Sequence, residues 1–371
     1  MGIIRYWKKI DSTLFLTILG LGIICLMIIA SATHANIEGY PGQYDFILKQ
    51  GAFLVVGVFI SAMAMKYDYR GLYKWAPALF VINAVFLLIV KFAGTSALGA
   101  QRWIQIGPFT LQPSEFAKLF MIICLARLLS NRSREYTTWK SLVPVAALML
   151  IPSVLIFIQP DLGTSLVFAA IAFGMLYMCG LRMKMVKQAF LGLVIIFPVL
   201  WFLVLHDYQK MRLMVLINPN IDPFGSGYHV IQSKISIGNG GFIGQGLFGG
   251  TQSQLNFLPE NHTDFIFSVI GEEFGFVGAA FVLFLYFLLL YRTLIISKSA
   301  NDSFGSLIAV GIFSMWLFQV FINIGMTLGI MPVTGIPLPF MSYGGSALLM
   351  NLFCVAILMN IYLRRKKLMF D

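Results

Sequence analysis

Charge is scarce in this sequence. Its 371 residues include 26 lysines and arginines and 15 acids, so that 11% are charged while 59% are hydrophobic. A soluble domain carries about 25% charged and about 45–50% apolar residues, and a chain of this length could not cover its surface with so few ionised groups. Disorder is excluded on the same ground, because disordered segments are poor in apolar residues. Alternating ten-residue strand patterns are also lacking, which argues against a porin-type barrel. Cysteine is sparse: Cys25, Cys124, Cys179 and Cys354 all fall in apolar blocks, with no spacing for a disulfide framework or for zinc. No cleavable leader is expected, since the first apolar run is long enough to span and lacks a small-residue cleavage site. No internal repeat, linker or low-complexity tract is visible, so one integral domain over 1–371 is expected. What remains is an all-α polytopic membrane protein.

Ten apolar segments stand out, near 13–32, 47–65, 73–91, 113–129, 141–158, 163–180, 188–205, 264–291, 304–329 and 345–363. Each is long enough, or nearly so, to cross about 30 Å of hydrocarbon at about 1.5 Å per residue. Asp11 and Ser12 are suited to cap the first helix. The net charge of +11 would suggest nucleic acid in a soluble protein, but here the cations sit in short segments between apolar blocks. Nineteen of the 26 cluster around 5–9, 66–74, 127–140, 182–187, 292–298 and 364–367, against seven (Lys49, Lys91, Arg102, Lys118, Lys210, Arg212, Lys234) on the opposite set of loops. That excess predicts cytoplasmic termini at both ends and an even number of spans. Glu38, Asp45, Glu115, Asp161, Asp207, Asp222, Glu260, Asp264 and all four histidines, His34, His206, His229 and His262, then lie on or near the outer side. Any chemistry is expected there.

The longest outer stretch, about 206–263, joins the seventh and eighth helices. A structureless loop of that length is uncommon. Its middle, GYHVIQSKISIGNGGFIGQGLFGG, suits short helical or re-entrant pieces that pack closely through glycine. The glycine spacing fits no dinucleotide or phosphate-loop fingerprint, and no βαβ unit surrounds it. The loop ends at Glu260, His262, Thr263 and Asp264. Thr263 or Asp264 either caps the eighth helix, or Asp264 projects into an outer cavity as a proton acceptor.

In Gln112-Pro-Ser-Glu115-Phe-Ala-Lys118 the proline starts the fourth helix, and Glu115 and Lys118 share a face. Charges inside a membrane segment suggest function, with a pair that fixes helix packing as the alternative. Arg102 could bind phosphate bidentately, and Trp103 suits an interfacial anchor. Three more outer clusters are Gln159-Pro-Asp161-Leu-Gly, His206-Asp-Tyr-Gln-Lys210-Met-Arg212 and Pro337-Leu-Pro-Phe-Met-Ser342-Tyr343-Gly-Gly. They read plainly as a tight turn, a charged interfacial collar and a Pro/Gly-broken segment. Glu272 and Glu273, about two turns into the eighth helix, either face a polar interior or hydrogen-bond a neighbouring helix.

Taken together, the strings GAQRWI, LQPSEFAKL, QPDLGTS, HDYQKMR, GYHVIQSKISIGNGG, GTQSQLNFLPENHTDFIFSVIGEE and PVTGIPLPFMSYGGSA resemble the family of shape, elongation, division and sporulation proteins, in the family's order along nearly the whole chain. The TQSQLNFLPE wording is closer to its elongation branch than to its division branch. The resemblance implies a ten-helix peptidoglycan glycosyltransferase that polymerises lipid II at the periplasmic face of the bacterial inner membrane. It also implies a class B penicillin-binding transpeptidase as partner, alongside other elongation-complex membrane proteins, and no nucleic acid. On that reading Asp264 is the leading catalytic candidate, with Glu115 and Lys118 as further catalytic residues in the cavity, Lys118 neutralising the diphosphate. Arg102, Lys210, Arg212, Gln159, Asp161, Glu260, His262 and Ser342 are the candidates for substrate binding. A divalent cation such as magnesium could assist the departing diphosphate, but no ligand spacing establishes one. Competing expectations are a lipid II flippase, since buried charges and broken helices also serve transport, and a scaffold without catalysis.

Overall fold

The computed structural model describes residues 10–34, 43–97, 100–107, 109–131, 136, 138–159, 161–203 and 205–365. Glu38 and the cations around 5–9, at 132–134 and at 366–367 lie outside them. The described chain is nearly all helical: α1 (Ser12–Ala32), α2 (Gln43–Ala64), α3 (Gly71–Ala93), α4 (Pro113–Ser130), α5 (Trp139–Ile158), α6 (Leu162–Met178), α7 (Met183–Leu203), α8 (Asp207–Ile217), α9 (Ser226–Gly240), α10 (Thr251–Gln254), α11 (Ile266–Ser299), α12 (Ser303–Thr327) and α13 (Gly345–Leu363). Helices α1 to α7 and α11 to α13 overlie the ten apolar segments. Eight of those ten are long and apolar enough by themselves to cross a membrane. The other two are α4, which carries Glu115, Lys118 and Arg127, and α6, which has 17 residues.

Local chemistry sets several helix starts. Asp11 accepts the Leu14 amide (3.0 Å), Asp161 the Thr164 amide (3.1 Å) and Asp302 the Gly305 amide (2.7 Å). Each carboxylate satisfies one of the free N–H groups of a first turn, an interaction worth about 1 kcal/mol. Pro113 opens α4, where its missing N–H costs nothing. One element departs from the all-helical expectation. Residues 95–111 form a three-stranded antiparallel sheet, β1 (Thr95–Ala97), β2 (Ala100–Ile106) and β3 (Phe109–Leu111). Two of its strands are three residues long, too short to show a period of two in the sequence.

Helix α12 is central and packs on α11, α6 and α4, while α13 packs on α2. Helix α7 is peripheral, with only Met185 buried among its described residues. Polar contacts gather the predicted inner loops at one end. The Arg292 guanidinium grips Asp11, Arg70 Nε meets Asp302 at 3.0 Å, and Arg364 Nε meets Asp68 at 3.4 Å. The sheet, α8, α9 and α10 occupy the other end, where Gln112 N donates to Ser346 Oγ (2.9 Å) and the His34 ring meets Phe248.

The glycine-rich stretch has a definite architectural task. Helix α11 is broken at Gly275 (φ 63°, ψ −159°), which frees carbonyls before the break and N–H groups after it. The loop 241–246 supplies their partners: Gln245 N donates to Glu272 O (3.0 Å) and Gly246 N to Glu273 O (2.9 Å), while Phe276 N donates to Gly241 O (3.0 Å) and Val277 N to Phe242 O (3.1 Å). Irregular backbone at membrane depth persists only when its polar groups are paired in this way. At Gly244 (φ 84°) a Cβ would collide with the Glu273 carbonyl, so no other residue fits.

Candidate functional site

Asp264 lies on the turn that precedes α11. Its backbone is braced from three directions. Asn323 Nδ2, from α12, donates to Asp264 O at 2.9 Å. The Ser342 hydroxyl donates to Thr263 O at 2.6 Å, and Tyr343 N donates to His262 O at 2.9 Å. Behind it, Phe265 is buried and stacks on the His229 ring (centroids 5.7 Å, interplanar angle 9°). The carboxylate itself receives no hydrogen bond among the described residues, and Asp264 caps nothing. Phe265 occupies the N-cap of α11, and Thr263 Oγ1 donates instead to Glu260 Oε2 (2.8 Å). The capping alternative is thereby removed. A Cβ placed on Gly335 would lie 3.4 Å from Asp264 Oδ2, so the carboxylate rests against that turn.

Two guanidiniums share this neighbourhood. Arg102 on β2 and Arg212 on α8 line a cavity of about 110 Å³ together with Gly163, Tyr208, Gln209 and Thr334. Arg102 Nε donates to Gln159 O at 3.2 Å, which anchors the side chain. The Arg212 guanidinium lies 5.8 Å from the Tyr208 ring centroid and has no carboxylate within ion-pair distance among the described residues. Burial lowers its pKa, and the Asp264 charge opposes that shift. The Asp264 carboxyl is pushed up to about 6, chiefly by burial and then by the Glu260 charge, while Arg212 and Arg102 pull it down and Asp161 adds a smaller push upward. Such a group is ionised at neutral pH yet a stronger proton acceptor than an ordinary aspartate.

The other candidates fall into distinct places. Glu260 (φ 52°) sits on the same turn as Asp264 and accepts from Thr263. The His262 ring packs against Phe46 and Tyr343 (5.1 and 5.8 Å), and burial lowers its pKa. Asp161 is taken up by the cap of α6, and Gln159 donates to Leu87 O at 2.9 Å. Lys210 meets the exposed Asp207 at 3.4 Å, in the manner of an interfacial collar. The Ser342 hydroxyl accepts from Leu338 N (2.8 Å) and donates to Thr263 O, so its proton and one of its two lone pairs are spent on bracing the backbone. Glu115 and Lys118 form a buried ion pair at 2.7 Å, one turn into α4; like Asp264 they are not among the residues that line the cavity, and Glu115 Oε2 has no hydrogen-bond partner among the described residues. Glu272 accepts from Gln252 N (2.7 Å), Ser253 N (3.1 Å) and Ser236 Oγ (3.0 Å), and Glu273 accepts from the Ser31 hydroxyl.

For a divalent ion the donor set is thin. Among the described residues no three His, Cys, Asp or Glu side chains come together. Asp264 and Glu260 could supply one or two ligands to an ion otherwise held by a substrate diphosphate, the way magnesium is commonly bound. Asn323, Gly335, Thr334 and Tyr208 were not singled out from the sequence. For Asn323 a weak signal existed, an amide near the C-terminal end of a mostly apolar helix that also carries Gln319.

Comparison with known proteins gives a consistent picture. The family model described as cell cycle protein, FTSW_RODA_SPOVE, matches residues 11–367. The chain is 41% identical over 365 residues to peptidoglycan glycosyltransferase MrdB of Escherichia coli K12, covering 98% of this chain and 96% of that protein. It is 37% identical over 361 residues to stage V sporulation protein E of Bacillus subtilis, covering 95% and 98% of the two chains. Among solved structures, a chain from work on the structural coordination of polymerization and crosslinking by a peptidoglycan synthase complex superposes with a TM-score of 0.82 at 29% identity, over 95% of this chain and 97% of that one. The crystal structure of the Thermus thermophilus rod shape determining protein RodA superposes with a TM-score of 0.71 at 26% identity, over 97% and 99%.

Proposed function

We infer that this chain, which belongs to the FTSW_RODA_SPOVE family of cell cycle proteins, is a peptidoglycan glycosyltransferase of cell elongation, and we propose that it polymerises lipid II with Asp264 as general base. The observation that carries the reading is the Asp264 carboxylate: braced through its backbone, without a hydrogen bond among the described residues, raised to about 6 and within the fields of Arg212 and Arg102.

The reaction needs an acceptor hydroxyl made nucleophilic and a diphosphate made able to leave. Asp264 takes the proton of the acceptor sugar 4-OH as that oxygen bonds to the anomeric carbon of the donor. The bond from that carbon to the diphosphate oxygen breaks, and the electron pair leaves with the undecaprenyl diphosphate. Arg212 and Arg102 neutralise the charge that develops there, where preorganised cations act most strongly. A single displacement inverts the anomeric carbon, which suits one base beside an electrophilic pocket rather than a pair of close carboxylates. The lipid tails remain in the bilayer throughout.

The cation excess on one set of loops supports cytoplasmic termini, with the site at the periplasmic face of the inner membrane and residues 1–371 as one membrane domain. Similarity to a chain of a peptidoglycan synthase complex supports a class B penicillin-binding transpeptidase as partner. The test uses the purified chain with its cognate transpeptidase and labelled lipid II. D264N and D264A should lose about 10²–10⁴-fold in rate; glycan strands made at the normal rate by either variant remove Asp264 as the base. Translocation of lipid II in proteoliposomes without polymer would replace the whole reading by a flippase.

A further inference from the structure

Asn323 is buried near the C-terminal end of α12. Its side-chain nitrogen donates to two carbonyls from separate parts of the chain, Asp264 O at 2.9 Å and Ile336 O at 2.8 Å. Both neighbours only accept, so the amide must present its NH2 group to them. Its Oδ1 is buried and has no hydrogen-bond partner among the described residues. The Ile336 carbonyl follows Gly335, whose left-handed backbone (φ 71°) brings the turn against Asp264 Oδ2. One amide therefore ties the turn that bears the carboxylate to the turn on which the carboxylate rests.

We propose that Asn323 is a positioning residue for glycosyl transfer, whose amide clamps the Asp264 and Gly335–Ile336 turns together and so sets the direction of the catalytic carboxylate. The proposal rests on Asp264 as base. A carboxylate that accepts no hydrogen bond among the described residues takes its direction from its backbone, and displacement of about 1 Å can cost about a hundredfold in rate. Around Asp264 the charged and titratable groups are Glu260 and His262 on its own turn, Arg212 on α8, Asp161 at the start of α6, Arg102 on β2 and His229 on α9. Asn323 carries no charge and changes none of them directly.

The experiment measures lipid II polymerisation by the full chain with its transpeptidase, across pH, for wild type, N323A, N323D and D264N. N323A should lower kcat by about tenfold to a hundredfold with KM within about twofold. The acid limb of its pH profile should move to lower pH, because a carboxylate released from the clamp relaxes toward water. N323D has the shape of asparagine and no amide hydrogens, so it should be impaired at least as much; melting temperature and size-exclusion elution separate that loss from misfolding. Wild-type kcat with an unmoved acid limb in either variant, or a rise in KM at unchanged kcat, overturns the proposal. Normal polymerisation by D264N overturns the base assignment instead, whatever the Asn323 variants do.

Discussion

Asp264 and Glu272 are acids on the same stretch of chain, at either side of the start of α11, and their surroundings differ in kind. Glu272 is fully buried and takes two backbone N–H groups and a serine hydroxyl, which fastens α10 and α9 to the broken helix. Among the described residues Asp264 is held through its peptide group, and its carboxylate accepts no hydrogen bond. A saturated carboxylate is an architectural part: its charge is satisfied, and moving it would strand its donors. An unsaturated carboxylate on a braced backbone costs folding energy and keeps its lone pairs for a substrate. The contrast separates structure from chemistry where both residues look equally acidic.

The largest effect expected is the loss of polymerisation in D264N described above, with a melting temperature at or above that of wild type, since the change removes an unpaired, desolvated carboxylate. Next comes the electrostatic partner. R212Q should lower the rate by about a hundredfold. It should also move the acid limb upward, because Arg212 holds the Asp264 pKa down. With Asp264 as the proposed base the deprotonated carboxylate is the active form, so the wild-type rate should fall as pH drops through about 6. E260Q removes a charge that pushes Asp264 up and should move the limb toward lower pH. An acid limb that ignores both substitutions would break the link between this carboxylate and turnover.

E272A should show the reverse pattern. Stranding the Gln252 and Ser253 amides costs about 1–3 kcal/mol each, so the melting temperature should fall clearly. The folded fraction should keep a kcat within about fivefold of wild type, because Glu272 touches no reacting group. Thermal melts paired with polymerisation of the surviving protein measure the two terms separately. If E272A instead kept its melting temperature and lost kcat as D264N does, the division between the two acids would fail.

Much of the fold was legible because membrane helices announce themselves by length and apolarity, and because the Asp11 cap and the Pro113 start are local signals. The turn that bears Asp264 was legible as a string of polar residues, and Arg102 and Arg212 as cations outside the main basic clusters. Their roles were not. Whether Asp264 caps a helix depends on one residue of phase, and Phe265 takes that place. Ser342 looked like a substrate contact, yet its hydroxyl is consumed by Thr263 and Leu338, partners from elsewhere in the site. Asn323 works through carbonyls at 264 and 336, a juxtaposition set by tertiary packing that no spacing expresses. The 95–111 sheet was illegible for a different reason, since two of its three strands have three residues and leave no period to detect, and a single seven-residue strand does not announce its partners.

The smallest effect separates the collar from the cavity. Lys210 and Arg212 are two positions apart on α8, and both were read from one basic cluster. Residues two apart on a helix do not share a face. Arg212 lines the cavity, whereas Lys210 pairs at 3.4 Å with Asp207, whose side chain is fully exposed. An ion pair of that kind is worth about 0–1 kcal/mol, and salt screens it. K210A should therefore leave kcat, KM and melting temperature within about twofold or a degree or two of wild type, while R212Q is strongly impaired in the same assay. Should K210A match R212Q, the cation that meets the diphosphate would have to come from the exposed face of α8, and the cavity beside Asp264 would lose its claim to the leaving group.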